Sequence, residues 1–221
     1  MAGPPFAFSL LRRREVPLPT WRGWLVLAAL ALAGARTFMA RVHPFLAVNA
    51  PVGGEALVVE GWIPDYALRQ ALAEFRSRPY ARLITIGGPV PEGLSMSSHG
   101  NYARLASASL QAFGLSADSI SEIPVPFVRA DRTYAEGVAL AAWLRGRGRS
   151  YRSLDVYSFS AHARRSRLLY RRALGGTVRV GVFAPADREY DSRRWWRSSS
   201  GVRRLTDEGI AYLYARLLFR G

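Results

Sequence analysis

The chain reads as an α/β protein: an open, mostly parallel sheet with helices on both faces, set behind an N-terminal apolar segment. Three observations lead there. Short apolar runs alternate with amphipathic helical stretches from about Glu55 onward. The runs are apolar throughout rather than at every second residue, the pattern of strands covered on both sides. Each run closes on glycine, proline or a hydroxyl residue before the next helical stretch begins. At 221 residues and 49% apolar, there is enough material for one core and an appendage.

Residues 1–22 are a basic tail carrying Arg12, Arg13, Arg14 and Arg22. Residues 23–48 form an anchor or signal segment with its linker. The uncharged run 23–35 is shorter than the ~20 residues that span a bilayer, so a span through Ala40 needs Arg36 to snorkel. Trp21 and Trp24 sit where an interfacial aromatic belt lies. Three readings stand open: a retained anchor, a signal cleaved at Ala33-Gly34-Ala35, and a buried helix. Four arginines before the run against Arg36 and Arg41 after it put the N-terminus inside. The expectation is a single-pass protein of a bacterial inner or plasma membrane, its domain outside the cytoplasm.

The α/β domain runs over residues 55–219. A strand is expected at 56–60, then a helix at 64–76 with Leu68, Ala71, Leu72 and Phe75 on one face. The second strand, 83–86, closes on Gly87-Gly88-Pro89, and the following loop carries Gly93. A helix over 101–113 ends at Gly114, a C-cap signal. A strand within 120–128 is cut by Pro124 and Pro126. Asp131 caps a helix reaching Leu144. A strand at 154–159 leads into a helix at 161–174. The last strand is 178–183 and the last helix 205–218. Residues 185–201 read as irregular.

Charge is unevenly placed. The net +15 comes from arginine alone, since the chain has no lysine, and residues 144–221 hold eighteen arginines against six acids. That half predicts an anionic partner: phosphate or membrane surface. A nucleic-acid reading of the Arg/Trp cluster at 193–197 is set aside, with Trp195 and Trp196 read as packing under a loop. The absence of cysteine excludes disulfides, thiol catalysis and Cys-based metal sites.

Ligands of open α/β sheets bind at the carboxyl ends of the strands. Those ends carry Glu60-Gly61-Trp62, Gly87-Gly88, Asp131-Arg132-Thr133, and Ser158, Ser160, His162 and Arg165. A strand ending in hydroxyls and opening into a helix with His and Arg in its first turn is an anion site by construction, because the first turn has free N–H groups and a partial positive charge. Arg165 shares a face with His162 at i+3. Arg164, Arg167, Arg171 and Arg172 read as a solvated face. With no tight Asp/His cluster, no metal site is expected, and no cofactor is assigned.

On these residues the chain resembles the YdcF/SanA/ElyC-like bacterial envelope family, a domain of unknown function. The resemblance rests on Leu57–Val59, Arg69, Gly87-Gly88, Thr133, Ser158, and His162 with Arg165, and covers about residues 55–184. The chain departs from the family at Ile86, Glu136 and Ser166, where the family has Ser, Asn and Ala. The resemblance implies a Rossmann-like fold behind a membrane segment and a role in the cell envelope, in cell-wall precursor metabolism. It also brings a link to S-adenosylmethionine in one member. The expectation is a domain binding a phosphorylated or anionic ligand, with lipid-linked cell-wall precursors as the substrate class the resemblance suggests. If it is an enzyme, it performs phosphoester or precursor chemistry with His162 as acid or base beside Ser158 and Glu60. Arg165 and Arg69 would clamp charge and Gly87-Gly88 would cradle phosphate. The alternatives are a non-catalytic module docking on anionic lipid or a partner, and a nucleotide or S-adenosylmethionine binder facing the cytoplasm.

Overall fold

The computed structural model describes residues 17–91, 98–146 and 151–221. Arg12, Arg13, Arg14 and Gly93 lie outside the described residues. The chain divides into two compact units, residues 1–38 and 39–221.

Helix α1 runs over Trp21–Leu46, and its best window has a mean hydropathy of 1.6 with none of it buried. It is long and apolar enough to cross a membrane. The part in the first unit, residues 21–38, is ~27 Å long at 1.5 Å per residue, close to the ~30 Å hydrocarbon thickness.

The second unit is the α/β domain. It contains β1 (Ala56–Glu60), α2 (Asp65–Ser77), β2 (Arg82–Gly87), α3 (Tyr102–Ala112), β3 (Ile120–Pro124), α4 (Arg132–Gly146), β4 (Ser153–Tyr157), α5 (Ala163–Ala173), β5 (Arg179–Phe183) and α6 (Ser199–Leu217). The five strands are parallel, in the order β3-β2-β1-β4-β5. The chain therefore winds outward from β1 through β2 to β3, crosses over through α4, and winds the other way from β4. The switch of direction falls between β1 and β4.

Alternation along β1 divides the core. Ala56 and Val58 face one layer with Leu140 and Leu144 of α4 and Tyr170 of α5. Leu57 and Val59 face the other with Leu68 and Leu72 of α2 and Leu110 of α3. Burying each such aliphatic side chain is worth about 1.5–3 kcal/mol. A third cluster joins Leu46, at the end of α1, to Ala161, Tyr190, Trp195 and Leu205. Trp195 is thus a packing residue, its indole N–H donating to the Met39 carbonyl at 2.9 Å.

Local chemistry sets the boundaries. The Asn101 side chain accepts from the Arg104 N–H at 2.9 Å and starts α3, and Gly114 follows its end at φ 89°. β3 is the edge strand and tolerates Pro124, whose missing N–H faces away from β2; after one further bond, from the Val125 N–H to the Gly87 carbonyl, pairing ends, so the strand is shorter than residues 120–128. The last helix starts at Ser199 rather than 205, because the Ser198 hydroxyl caps it by accepting from the Gly201 N–H. Residues 192–197, expected to be irregular, form two short 3₁₀ turns joined by a kink at Arg194.

Of the α5 arginines expected to form a solvated face, Arg171 is exposed, but the other three are engaged with the chain. The guanidinium of Arg164 donates to the Phe45 carbonyl and covers the Phe45 ring. That of Arg167 donates to the Val180 carbonyl, and that of Arg172 to the carbonyls of Ala215 and Phe219. These arginines fasten α5 to α1, β5 and α6.

Candidate functional site

Strand alternation decides which polar residues meet. Glu60 follows Ala56 and Val58 onto the α4/α5 side of the sheet, at the carboxyl end of β1. Ser158, just past β4, follows Leu154 and Val156 onto the same side. Both lie at the switch between β1 and β4, and both are fully buried. The first turns of α4 and α5 bring Thr133, Glu136, His162, Arg165 and Ser166 to the same place, and α6 adds Glu208.

A chain of hydroxyls ends on Glu60. The Ser158 hydroxyl donates to Glu60 Oε2 at 2.7 Å. Having one proton, Ser158 must accept from Ser166, 3.0 Å away. Ser158 is thereby a buried link rather than an exposed nucleophile. The other Glu60 oxygen, Oε1, is buried with no hydrogen-bond partner.

His162 is held from behind. Its Nδ1 lies 2.9 Å from Glu208 Oε1. Arg165 grips the same carboxylate twice, Nε to Oε2 at 2.9 Å and a terminal nitrogen to Oε1 at 3.1 Å. That terminal nitrogen also lies 2.9 Å from Nδ1. An ionised carboxylate only accepts, so Nδ1 carries the proton and the Arg165 approach to it is a packing contact. Nε2, the ring nitrogen not engaged by Glu208, lies 3.5 Å from the Thr133 hydroxyl and 3.8 Å from Glu60 Oε2. The ring meets Trp62 edge-on at 5.0 Å between centroids.

The carboxyls differ sharply. Burial pushes Glu208 up, but hydrogen bonds and charge from His162 and Arg165 outweigh it and hold the group at about 2. Glu136 goes the other way: burial, then the neighbouring Glu60 charge, push it well above the ordinary carboxylate value, against a hydrogen bond from Tyr170 at 3.3 Å. One site thus pairs a fixed anion with a carboxyl that favours its neutral form. That separation suits acid–base chemistry. Among the described residues, no group of three His, Asp or Glu side chains is placed to hold a metal.

Comparison with protein-family models and with curated proteins gives no match.

Not every expected residue joins this cluster. Arg69 stacks on the Phe113 ring at 3.6 Å on α2. A Cβ on Gly87 would lie 2.7 Å from the Cβ of Tyr102, so this glycine serves the close approach of α3. Gly61 serves the same end, against the Tyr102 carbonyl. Gly88 alone of the pair is open, its nearest atom 4.0 Å away, and leaves backbone for a ligand to approach. Asp131 caps α4 through its carbonyl, accepting from Tyr134 and Ala135. Arg132 opens that helix, and its charge acts on Glu136. Ser160 is buried, its hydroxyl 3.0 Å from Tyr190.

Asp131 and Ser160 are the two non-glycine residues at positive φ among the described ones, at 54° and 45°. Each lies just before an element that delivers a site residue, Thr133 or His162. Left-handed backbone in non-glycine residues costs of order 1–3 kcal/mol and gathers where a site is held in place.

Glu208, Glu136 and Tyr170 were not expected in the site. The signal for Glu208 is an acid on the inward face of α6, between Leu205 and Ala215. For Glu136 it is the i+3 spacing from Thr133.

Proposed function

We propose that the domain binds a phosphorylated ligand at the switch between β1 and β4 and acts on it by acid–base chemistry centred on His162. The observation that carries this reading is the fixed imidazole. Glu208, itself gripped by Arg165, holds Nδ1 from behind, and Nε2 is left beside Thr133 and Glu60 at the strand ends. A ring held in one tautomer and orientation is what a general acid or base needs. The first turn of α4 opens there, and a helix N-terminus suits an anionic group; the start of α5 is already bonded to the turn before it, the Ala163 N–H donating to the Ser160 carbonyl. Gly88 leaves backbone bare at the end of β2.

The reaction we infer is phosphoester chemistry on a lipid-linked precursor of the cell envelope. Support for the lipid link is the apolar α1, read as a retained anchor, and the arginine excess before it, which favours a domain outside the cytoplasm. Docking through the arginines of α5 is disfavoured, because Arg164, Arg167 and Arg172 are engaged with carbonyls of the chain itself.

The test uses the full chain in detergent with polyprenyl phosphate and pyrophosphate esters, reading release of inorganic phosphate. Release that is lost in His162→Ala is the expected result. No release by the wild-type chain, with no binding of pyrophosphate, overturns the reading.

A further inference from the structure

The outer face of α6 is apolar and uncovered. Ile210, Leu213, Tyr214, Leu217 and Leu218 are 64, 55, 45, 72 and 70% exposed. Their spacing (i, i+3, i+4, i+7, i+8) places them on one stripe over the last two turns. Scattered exposed apolar residues are ordinary, but a contiguous stripe of five large ones marks a contact surface. Arginines surround it. Arg203 lies on the same face two turns before the stripe, and Arg216 and Arg220 flank its end, all exposed. The acids of the helix do not offset them: Glu208 is turned inward against Arg165 and His162, leaving Asp207.

We propose that this face of α6 lies on an anionic lipid surface, its apolar stripe at the headgroup–acyl boundary and Arg203, Arg216 and Arg220 among the phosphates. Charge complementarity selects this occupant. A second copy of the chain would bring the same arginines against their own counterparts, whereas an anionic leaflet satisfies them while the stripe leaves water. The proposal rests on the reading of α1 as a membrane tether, which keeps a bilayer within reach. It also gives α6 two faces with separate tasks: Glu208 orients His162 on the inner one, and the outer one holds the domain to the surface where a lipid-linked headgroup lies.

The chain has no cysteine, so single-cysteine labelling reports one position cleanly. Leu213→Cys, Leu217→Cys and, as control, the exposed Asp118→Cys are made in the full chain and carry a polarity-sensitive fluorophore. Each is reconstituted into vesicles of equimolar phosphatidylglycerol and phosphatidylcholine. The labels at 213 and 217 should shift to the blue and lose several-fold of their iodide quenching, while the label at 118 is unchanged. Phosphatidylcholine alone, or Arg216→Gln with Arg220→Gln, should restore much of the quenching. Labels at 213 and 217 as quenched as that at 118 in a chain that floats with the vesicles overturn the docking and leave the tether. Protection in a chain that alkaline carbonate strips from the vesicles overturns the tether and leaves the docking. Protection already present in detergent and rising with protein concentration means a second copy covers the face, and the proposal is wrong.

Discussion

Glu208, on the last helix, holds Nδ1 of His162 at 2.9 Å across 46 residues of sequence. The same carboxylate takes two hydrogen bonds from Arg165, so a single acid fixes both side chains that open α5. Removing it leaves a half-buried guanidinium without its partner and frees the imidazole to turn.

Glu208→Gln should therefore unsettle the site and the fold together. Breaking a buried pair by removing one partner costs about 3–5 kcal/mol. The part-exposure of Arg165 puts this one at or below the low end. The pH dependence has a definite sign. Glu208 is depressed from 4.5 to about 2, so its contribution is complete above 4.5 and disappears as pH falls toward 2. Urea melts should show the wild-type advantage over Glu208→Gln shrinking across that interval. A gap that stays constant from pH 5 to pH 2 would show that the carboxylate is not held as described.

Glu136 predicts the opposite slope. Its carboxyl is raised in the fold, so the stability it allows is full below the ordinary carboxylate value and is lost as pH rises through the raised one. Glu136→Gln removes the titration and keeps a polar group of the same shape beside Tyr170. Thermal melts from pH 5 to pH 9 should find the variant gaining on the wild type toward the alkaline end. Parallel curves would sink this assignment.

Asp155 is a structural acid far from any proposed chemistry. It is fully buried and accepts from the Val52 and Gly54 N–H groups at 2.7 Å each and from the Tyr80 hydroxyl at 3.0 Å. Asp155→Ala orphans three donors at once and should cost about 3 kcal/mol or more. Denaturant unfolding measures it, and a loss under about 1 kcal/mol would mean that water replaces the carboxylate with ease.

The glycines should separate by role. Gly61→Ala and Gly87→Ala push α3 away from the sheet through Tyr102, and each should lower stability by about 1–3 kcal/mol, as overpacking does. Gly88→Ala meets open space and should leave the melting temperature nearly unchanged. If Gly88→Ala is as damaging to the fold as Gly87→Ala, the backbone there is not free to face a ligand.

Most of the fold was legible because it depends on local pattern. The four apolar runs at 56–60, 83–86, 154–159 and 178–183 lie within a residue or two of the observed strands, and Asn101 and Gly114 flank α3 as capping chemistry requires. Pro124 showed where the third strand weakens but not that it ends there. The start of α6 was missed because Ser198 caps it from a serine-rich stretch that looks like loop. The site was half legible. Glu60, Ser158, Thr133, His162 and Arg165 sit at strand ends and first turns, where topology alone brings them together. Arg69 was misleading because a guanidinium on an amphipathic helix stacks as readily on a neighbouring aromatic ring. Glu208 and Tyr170 come from deep within helices. Which helix face turns toward the strand ends is a matter of tertiary packing, and no local signal carries it.

The central claim is that His162, with Nε2 presented to the strand ends, meets a phosphorylated ligand. The chain has three histidines, so the side-chain nitrogen resonances can be assigned by single substitutions. The decisive measurement is a nitrogen-15 NMR titration of the full chain with inorganic pyrophosphate, recording the imidazole of His162. The account predicts a saturable shift at Nε2, an Nδ1 that keeps its proton throughout, and loss of the shift in Arg165→Lys, where the two-pronged grip on Glu208 is gone. An imidazole that carries its proton on Nε2, or that ignores pyrophosphate while resonances elsewhere respond, would contradict it.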